Sequence, residues 1–258
     1  MWAAESHHAA PMVEPSVRRP FTLLDGAPAD SDGVAIEQAL LQRAAEGVAV
    51  AHVWEATPGF VVPASYKRFD RFEAACASFA AQGLPVQLRC SGGGLVPQGP
   101  GMVNLSLAWR THAAMGSAAD AVYMALCRLL QASAATFGIV ATPQAVSGSF
   151  CDGRYNLAVN GRKVAGTAQY WRRASASEQI VLAHACLLVD ADLDTLTRHA
   201  NAFEAEIRSD RVYRSDAITN LARGAGGPVP AGGTRRRITP PHVVRLLQQS
   251  ASSSMVLC

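Results

Sequence analysis

The chain has 258 residues, enough for one large domain or two small ones, and 49% of them are hydrophobic against 17% charged, which excludes global disorder. Its 23 basic and 20 acidic residues leave a net charge of +3, too weak a field to mark nucleic acid as a bulk partner. The six cysteines (Cys76, Cys90, Cys127, Cys151, Cys186 and Cys258) form no C-x-x-C pair and no His/Cys grouping at zinc spacing, so they read as reduced thiols of a cytoplasmic protein with no metal site.

Residues 1–20 are polar, Ala/Pro-rich and aperiodic, which predicts a flexible tail. They lack a basic segment followed by an apolar one, so no signal peptide is expected. His7 and His8 alone do not supply the three or four converging ligands of a metal site. No apolar run reaches the roughly 18 residues of a membrane span, and no membrane partner is expected.

The first predicted helix runs from Val34 to Ala45, with Ile36, Leu40, Leu41 and Ala44 on one face and Ser31 or Asp32 as cap. A strand follows at Ala49–Trp54, then a Pro58-Gly59 turn into Val61 and Val62. Residues 69–82 have helical spacing, and Leu84–Cys90 reads as a strand entering a glycine run. Ser117–Gln131 is a helix whose Ser117 and Asp120 are spaced as a capping box, with Cys127 a packed thiol beside the apolar stripe. Gln179–Val189 is an apolar strand and Leu193–Ile207 an amphipathic helix. The Gly/Pro-rich stretch from Gly224 to Gly233 is a linker, and Thr239-Pro240-Pro241 opens a short terminal helix to Gln249. Hairpins with interspersed helices, lacking regular β-α-β alternation, predict an α+β fold with a mixed, mostly antiparallel sheet.

Two segments carry chemistry. In the first, Ser91 is followed by Gly92, Gly93 and Gly94, where missing Cβ atoms let a ligand or another backbone approach closely. It is not a Walker loop or a dinucleotide fingerprint. The next strand, Val103–Leu107, alternates apolar and polar, turning Asn104 and Ser106 to the face opposite the core. In the second segment, Asn160-Gly161 predicts a two-residue hairpin turn. That turn sets Val159 opposite Arg162, Ala158 opposite Lys163, Leu157 opposite Val164 and Asn156 opposite Ala165. Lys163 then shares a face with Asn156, Ala158, Ala165 and Thr167, whose small side chains leave it room to reach a substrate oxygen. Cys151 precedes the hairpin in a Cys-Asp-Gly-Arg turn, where Lys163 or Arg154 nearby would favour its thiolate.

Together the segments resemble the superfamily of lipoate–protein ligases, octanoyltransferases and biotin ligases. Arg-x-Ser-Gly-Gly-Gly followed by Gly-x-x-Asn-x-Ser falls on Arg89, Ser91 to Gly94, Gly101, Asn104 and Ser106. Gly-x-Lys-x-Ala-Gly-x-Ala-Gln falls on Gly161, Lys163, Ala165, Gly166, Ala168 and Gln169. The stretch from Gly148 to Lys163 is most similar to the cysteine-dependent octanoyl-[glycine cleavage H protein]:protein N-octanoyltransferases, and Cys151 falls on their nucleophile. Asn156 departs from an aspartate in that pattern, and Gln98 stands where many ligases carry a histidine; the GGG triplet and Ala168-Gln169 are ligase-like.

The resemblance covers residues 21–222, leaving 223–258 as linker and terminal helix. It implies that Cys151 and Lys163 are catalytic and that Arg89, Ser91, Gly92, Gly93, Gly94, Asn104, Asn156, Gly166 and Ala168 bind substrate. The implied activity is transfer of an octanoyl or lipoyl group, through a cysteine thioester, to lipoyl carrier domains such as the glycine cleavage H protein and 2-oxoacid dehydrogenase subunits, with no cofactor. The alternatives are an ATP-dependent ligase, which needs ATP and Mg²⁺, and a non-catalytic lipoyl-domain binder for which Arg235, Arg236 and Arg237 would dock an acidic carrier. No general base is identified; His184 and Asp152 are candidates, and a packed strand histidine and a turn-forming aspartate are their plainer readings.

Overall fold

The computed structural model describes residues 20–24, 33–224 and 237–254. Residues 1–19 of the N-terminal tail, the Ser31/Asp32 cap, most of the Gly/Pro linker, Arg235, Arg236 and Cys258 lie outside the described residues.

In chain order the elements are β1 (Thr22–Leu23), α1 (Gly33–Ala45), β2 (Val50–Glu55), β3 (Gly59–Pro63), a 3₁₀ turn (Ala64–Arg68), α2 (Phe72–Ala80), β4 (Val86–Arg89), β5 (Val96–Gln98), β6 (Met102–Thr111) and α3 (Met115–Ala135). They continue as β7 (Thr142–Pro143), β8 (Leu157–Val159), β9 (Arg162–Arg173), β10 (Gln179–Leu188), α4 (Leu193–Glu206), a second 3₁₀ turn (Ser215–Ala217), α5 (Leu221–Gly224) and α6 (Pro240–Ser253). A seven-stranded sheet has the order β1-β2-β6-β10-β9-β8-β7, and a three-stranded sheet the order β4-β3-β5. The β1–β2 and β3–β4 pairs are parallel and the rest antiparallel, the mixed α+β architecture expected. No helix among the described residues is long and apolar enough to cross a membrane.

The large sheet is covered on both faces, and period-two alternation decides which residue meets which layer. On one face Val103, Leu105, Leu107 and Trp109 of β6 and Val181, Ala183, Ala185 and Leu187 of β10 pack with Val122, Leu126 and Leu130 of α3 and with Val243, Leu247 and Ala251 of α6. The short terminal helix expected beyond the Gly/Pro linker is thus a wall of the main core. The other face carries two separate cores. Ile36, Leu40 and Leu41 of α1 lie on Ala108, Ile180 and Leu182 at one end. Phe60, Phe79, Phe203, Met102 and Leu188 join the small sheet, α2 and α4 at the other.

Three local expectations are corrected. Ser117–Asp120 is not a capping box: α3 begins at Met115 after Ala114, Ser117 Oγ donates to Ala114 O inside the first turn (3.1 Å), and Asp120 accepts from Arg154 (3.0 Å). Residues 69–82 are helical only over Phe72–Ala80, a 3₁₀ turn preceding them. The hairpin pairs Val159 with Arg162 and Ala158 with Lys163 as expected, but Leu157 then faces Ala165, not Val164. Val164 is the extra residue of a β-bulge, an insertion that lets three steps along β9 restore the same face.

Candidate active site

Between the two cores on the second face, the sheet presents two rows of side chains. One row crosses Trp54, Asn104, Cys186 and Gly166; the next crosses His52, Ser106, His184 and Ala168. The bulge turns Lys163 onto this face with Gly166 and Ala168. Ala165 turns into the α3-side core instead, and Thr167 Oγ1 donates to Tyr155 O (2.7 Å). The expected company of Lys163 is therefore one residue out along β9, while Asn156 stands beside it as expected, both side chains donating to Cys151 O. Its true neighbour is Gly166, where a Cβ would stand 3.0 Å from Lys163 Nζ.

The rows floor a cavity of about 110 Å³ lined by Arg89, Asn104, Cys151, Lys163, Gly166, Ala168 and His184, with apolar walls from Phe60, Val96, Met102, Phe150 and Leu188. Lys163 is 4% exposed, not the solvated lysine that a hairpin position suggests. Its Nζ donates to Phe150 O and to Cys151 O (3.0 Å). Burial pulls its pKa down to about 8, against the opposing pull of charge at Cys151 and Cys186.

Cys151 sits at φ 48°, in the left-handed region, and its carbonyl oxygen is clamped by Lys163 Nζ, Asn156 Nδ2 (2.9 Å) and the Gly153 N–H (2.8 Å). Asn156, 1% exposed, thus anchors the cysteine's backbone and does not line the cavity. The thiol enters the glycine loop. Gly94 N–H donates to Cys151 Sγ (3.3 Å), and a Cβ on Gly93 (φ +106°) would collide with that sulfur. Arg89 shapes the loop through backbone carbonyls: Nη1 donates to Val61 O (2.8 Å), and Nη2 to Gly92 O (2.9 Å) and Gly94 O (2.7 Å). Burial lowers its pKa, and charge at Cys151 and Glu37 opposes that. Gly92 has open space where its Cβ would be.

The far end of the face is polar. Ser91, 2% exposed and outside the cavity lining, bonds His184 Nε2 (2.8 Å); His184 Nδ1 meets Glu37 Oε1, which also accepts from Ser106 Oγ (2.8 Å). Burial opposes ionisation of Glu37, but the charge and hydrogen bond of His184 and the Ser106 bond outweigh it and hold the carboxyl below its usual range. Asn104 Nδ2 donates to Gln98 Oε1 (2.8 Å), and Gln98 Nε2 to Cys186 Sγ (3.5 Å).

Sequence reasoning missed Glu37, although it stands four residues before Leu41 on the buried stripe of α1. A carboxylate on an apolar stripe is the signal that was available. It also left His184 undecided; the histidine is a cavity-lining strand residue with partners at both ring nitrogens.

An apolar cavity with a thiol and a buried amine at one end of a mixed sheet suits chemistry on an acyl carbonyl. Residues 31–240 match the family described as the lipoyl protein ligase A/B catalytic domain, and the chain belongs to that family of enzymes. An uncharacterized protein of Cupriavidus necator is 49% identical over 216 residues, covering 78% of this chain and 85% of that protein. The octanoyl-[GcvH]:protein N-octanoyltransferase of Kyrpidia tusciae is 39% identical over 150 residues, 56% of this chain and 51% of that protein. A Geobacillus kaustophilus protein of the same name is 29% identical over 150 residues, so the chain spans about half the length of each octanoyltransferase (51% and 53%). Among solved structures, a lipoate-protein ligase A with bound ATP superposes with TM-score 0.60 at 14% identity, over 84% of this chain and 77% of that one. A bi-partite lipoate protein ligase of Thermoplasma acidophilum, solved as part of a lipoylation system with its E2 lipoyl domain, gives TM-score 0.56 at 15% identity over 90% and 82%. Both share the fold.

Proposed function

We propose that the protein moves an octanoyl or lipoyl group onto a lysine of a lipoyl carrier domain through a thioester on Cys151, without ATP. One observation carries the reading. The concavity of the Gly92–Gly94 loop, whose N–H groups would otherwise suit a phosphate, holds the Cys151 sulfur against Gly93 and under the Gly94 N–H. The match to octanoyltransferases of Kyrpidia tusciae and Geobacillus kaustophilus supports the same choice.

The Cys151 thiolate attacks the acyl carbonyl, forming a C–S bond as the carbonyl π pair moves to oxygen. Lys163 has three N–H donors, two of them on Phe150 O and Cys151 O; the third is available to that oxyanion. The intermediate then expels the donor carrier's amine, which needs a proton. A lysine with its pKa near 8 is matched to supplying one close to neutrality. In the second half the acceptor lysine's neutral amine attacks the thioester, a C–N bond replaces C–S, and the amine's surplus proton returns through the same site. Arg89 and Lys163 supply positive charge beside the sulfur while it is a thiolate. The acyl chain lies along Phe60, Val96, Met102 and Leu188.

The test is to incubate the protein with octanoylated glycine cleavage H protein and to follow intact mass with and without ATP. An octanoyl adduct that forms without ATP and is lost in Cys151→Ser supports the proposal. ATP-dependent modification of an acceptor domain that survives Cys151→Ser overturns it in favour of the ligase, and no turnover under any condition favours a carrier-binding protein.

A further inference from the structure

A buried polar cluster stands beside the glycine loop and outside the cavity lining. Glu204, on the last turn of α4, is 0% exposed. Its Oε1 accepts from Tyr66 Oη (2.7 Å) and Tyr213 Oη (2.7 Å), and its Oε2 has no hydrogen-bond partner among the described residues. Arg211 Nη1 donates to Tyr66 Oη (2.6 Å), and its guanidinium lies over the Tyr66 ring (5.5 Å to the centroid). Nothing in the acyl-transfer scheme uses these four residues, yet placing an imperfectly paired carboxylate in a core is costly and calls for a return elsewhere.

The return is at the loop backbone. Tyr66 Oη also accepts the Leu95 N–H (3.0 Å). That N–H belongs to the Gly94–Leu95 peptide, whose carbonyl oxygen is held by Arg89 Nη2 (2.7 Å). One peptide plane is thus gripped at both ends, by a phenol on one side and a guanidinium on the other. A glycine has little rotational preference of its own, so the direction of the Gly94 N–H toward Cys151 Sγ must be imposed from outside. Glu204 strengthens the grip, because a phenol that donates to a carboxylate carries more negative charge on its oxygen and accepts better. Burial and Glu204 push the Tyr66 pKa up to about 12, so the phenol keeps the proton that it donates.

We propose that Tyr66 is a positioning residue for the nucleophile: with Arg89 it clamps the Gly94–Leu95 peptide so that the Gly94 N–H stays on the Cys151 sulfur. The inference rests on the reading of Cys151 as nucleophile. Tyr213 is the internal control, since it gives the same oxygen of Glu204 a bond of the same length but holds no loop N–H.

The experiment compares Tyr66→Phe with Tyr213→Phe. Alkylation of Cys151 by iodoacetamide is followed against pH by peptide mass mapping, which separates it from exposed Cys90. The charged and titratable groups around Cys151 are Arg89 at the end of β4, Lys163 on β9, Tyr123 on α3, the adjacent Asp152, and Arg211 and Tyr213, which meet Cys151 around Gly94; Tyr66→Phe keeps all of them, and Tyr213→Phe all but the Tyr213 hydroxyl. Loss of one aligning hydrogen bond in Tyr66→Phe is expected to raise the alkylation midpoint by about half a pH unit or more. It is also expected to slow octanoyl-thioester formation roughly fivefold to tenfold, with KM for the donor within about twofold. Tyr213→Phe is expected to leave the midpoint and the rate in place while lowering the melting temperature comparably.

Equal midpoints in the two variants, or an unmoved midpoint in Tyr66→Phe, overturn the proposal. Should Tyr66→Phe not fold, amide exchange in the wild type decides. Leu95 and Gly94 are expected to exchange at least about tenfold more slowly than Gly92 and Gly93, and equal rates overturn the clamp. A wild-type protein that takes up no octanoyl group at all counts against the acyl-transfer function, and the alkylation comparison remains readable.

Discussion

At Gly93 a side chain would need the space that the Cys151 sulfur occupies. The residue sits at φ +106°, which costs any L-residue about 1 kcal/mol or more, and its Cβ would meet Cys151 Sγ and, at 3.2 Å, Arg89 Nη2. Gly93→Ala is expected to fold but to form the octanoyl adduct at least tenfold more slowly. Gly92→Ala, with nothing within 4 Å of its Cβ, is expected to match the wild type. Intact mass against time, with a thermal melt on each variant, separates the two, and equal rates would remove the sulfur from the loop. Lys163 gives a second prediction through its charge. Its pKa falls from 10.5 in the unfolded chain to about 8 in the fold, so the native state releases its proton first as pH rises. Between those values the unfolded chain binds more protons, and stability attributable to this lysine rises with pH. Below about 8 the fold carries a desolvated ammonium at a cost. Urea unfolding at pH 7.5 and pH 10 should therefore show the wild type gaining stability relative to Lys163→Met at the higher pH. A constant difference would mean that the amine is better solvated than its burial implies.

At the scale of the element, the hairpin shows what a sequence pattern can and cannot carry. The Asn160-Gly161 turn fixed two cross-strand pairs, because a type I′ turn admits one register and only residues tolerant of positive φ fit it. The bulge at Val164 left no comparable trace. Val164 is a strong strand former at 2% exposure, buried in either register, so its composition is silent about which neighbour is skipped. The Ser117–Asp120 spacing misled for the opposite reason, a real local signal overridden when α3 started two residues earlier. The bulge is testable by neighbouring substitutions. Gly166→Ala would crowd Lys163 Nζ, which two carbonyls hold in place, and is expected to reduce thioester formation about tenfold with the fold intact. Ala165→Gly, in the core with Leu157, is expected to cost about 1 kcal/mol of stability and leave turnover per folded molecule unchanged. The reverse pattern would restore the unbulged register, in which Ala165 stands beside Lys163.

At the scale of the whole molecule, the cavity is a seam. The large sheet is roofed on its second face by two cores that do not merge, one under α1 and one under the small sheet with α2 and α4, and the polar rows lie between them. Strand alternation in β6 announced Asn104 and Ser106 as a face apart, but the roof could not be read, since it depends on contacts between segments far apart in sequence such as Glu37 with His184. The opposite face is continuous, and neither α3 nor α6 lends a residue to the cavity lining. That separation makes a prediction about α6, the helix that sequence composition placed beyond a linker. Leu247 is 0% exposed against the sheet, and Leu247→Ala should destabilise the protein by about 2–5 kcal/mol, through lost burial and the cavity left behind. Because the deleted methyl groups lie across the sheet from Cys151 and Lys163, KM for the acyl donor and the rate per folded molecule should hold until the melting transition begins. Denaturant unfolding combined with activity below the midpoint checks both parts. A loss of activity that precedes unfolding would show that the sheet transmits strain from one face to the other, and that α6 belongs to the working parts of the site as well as to its support.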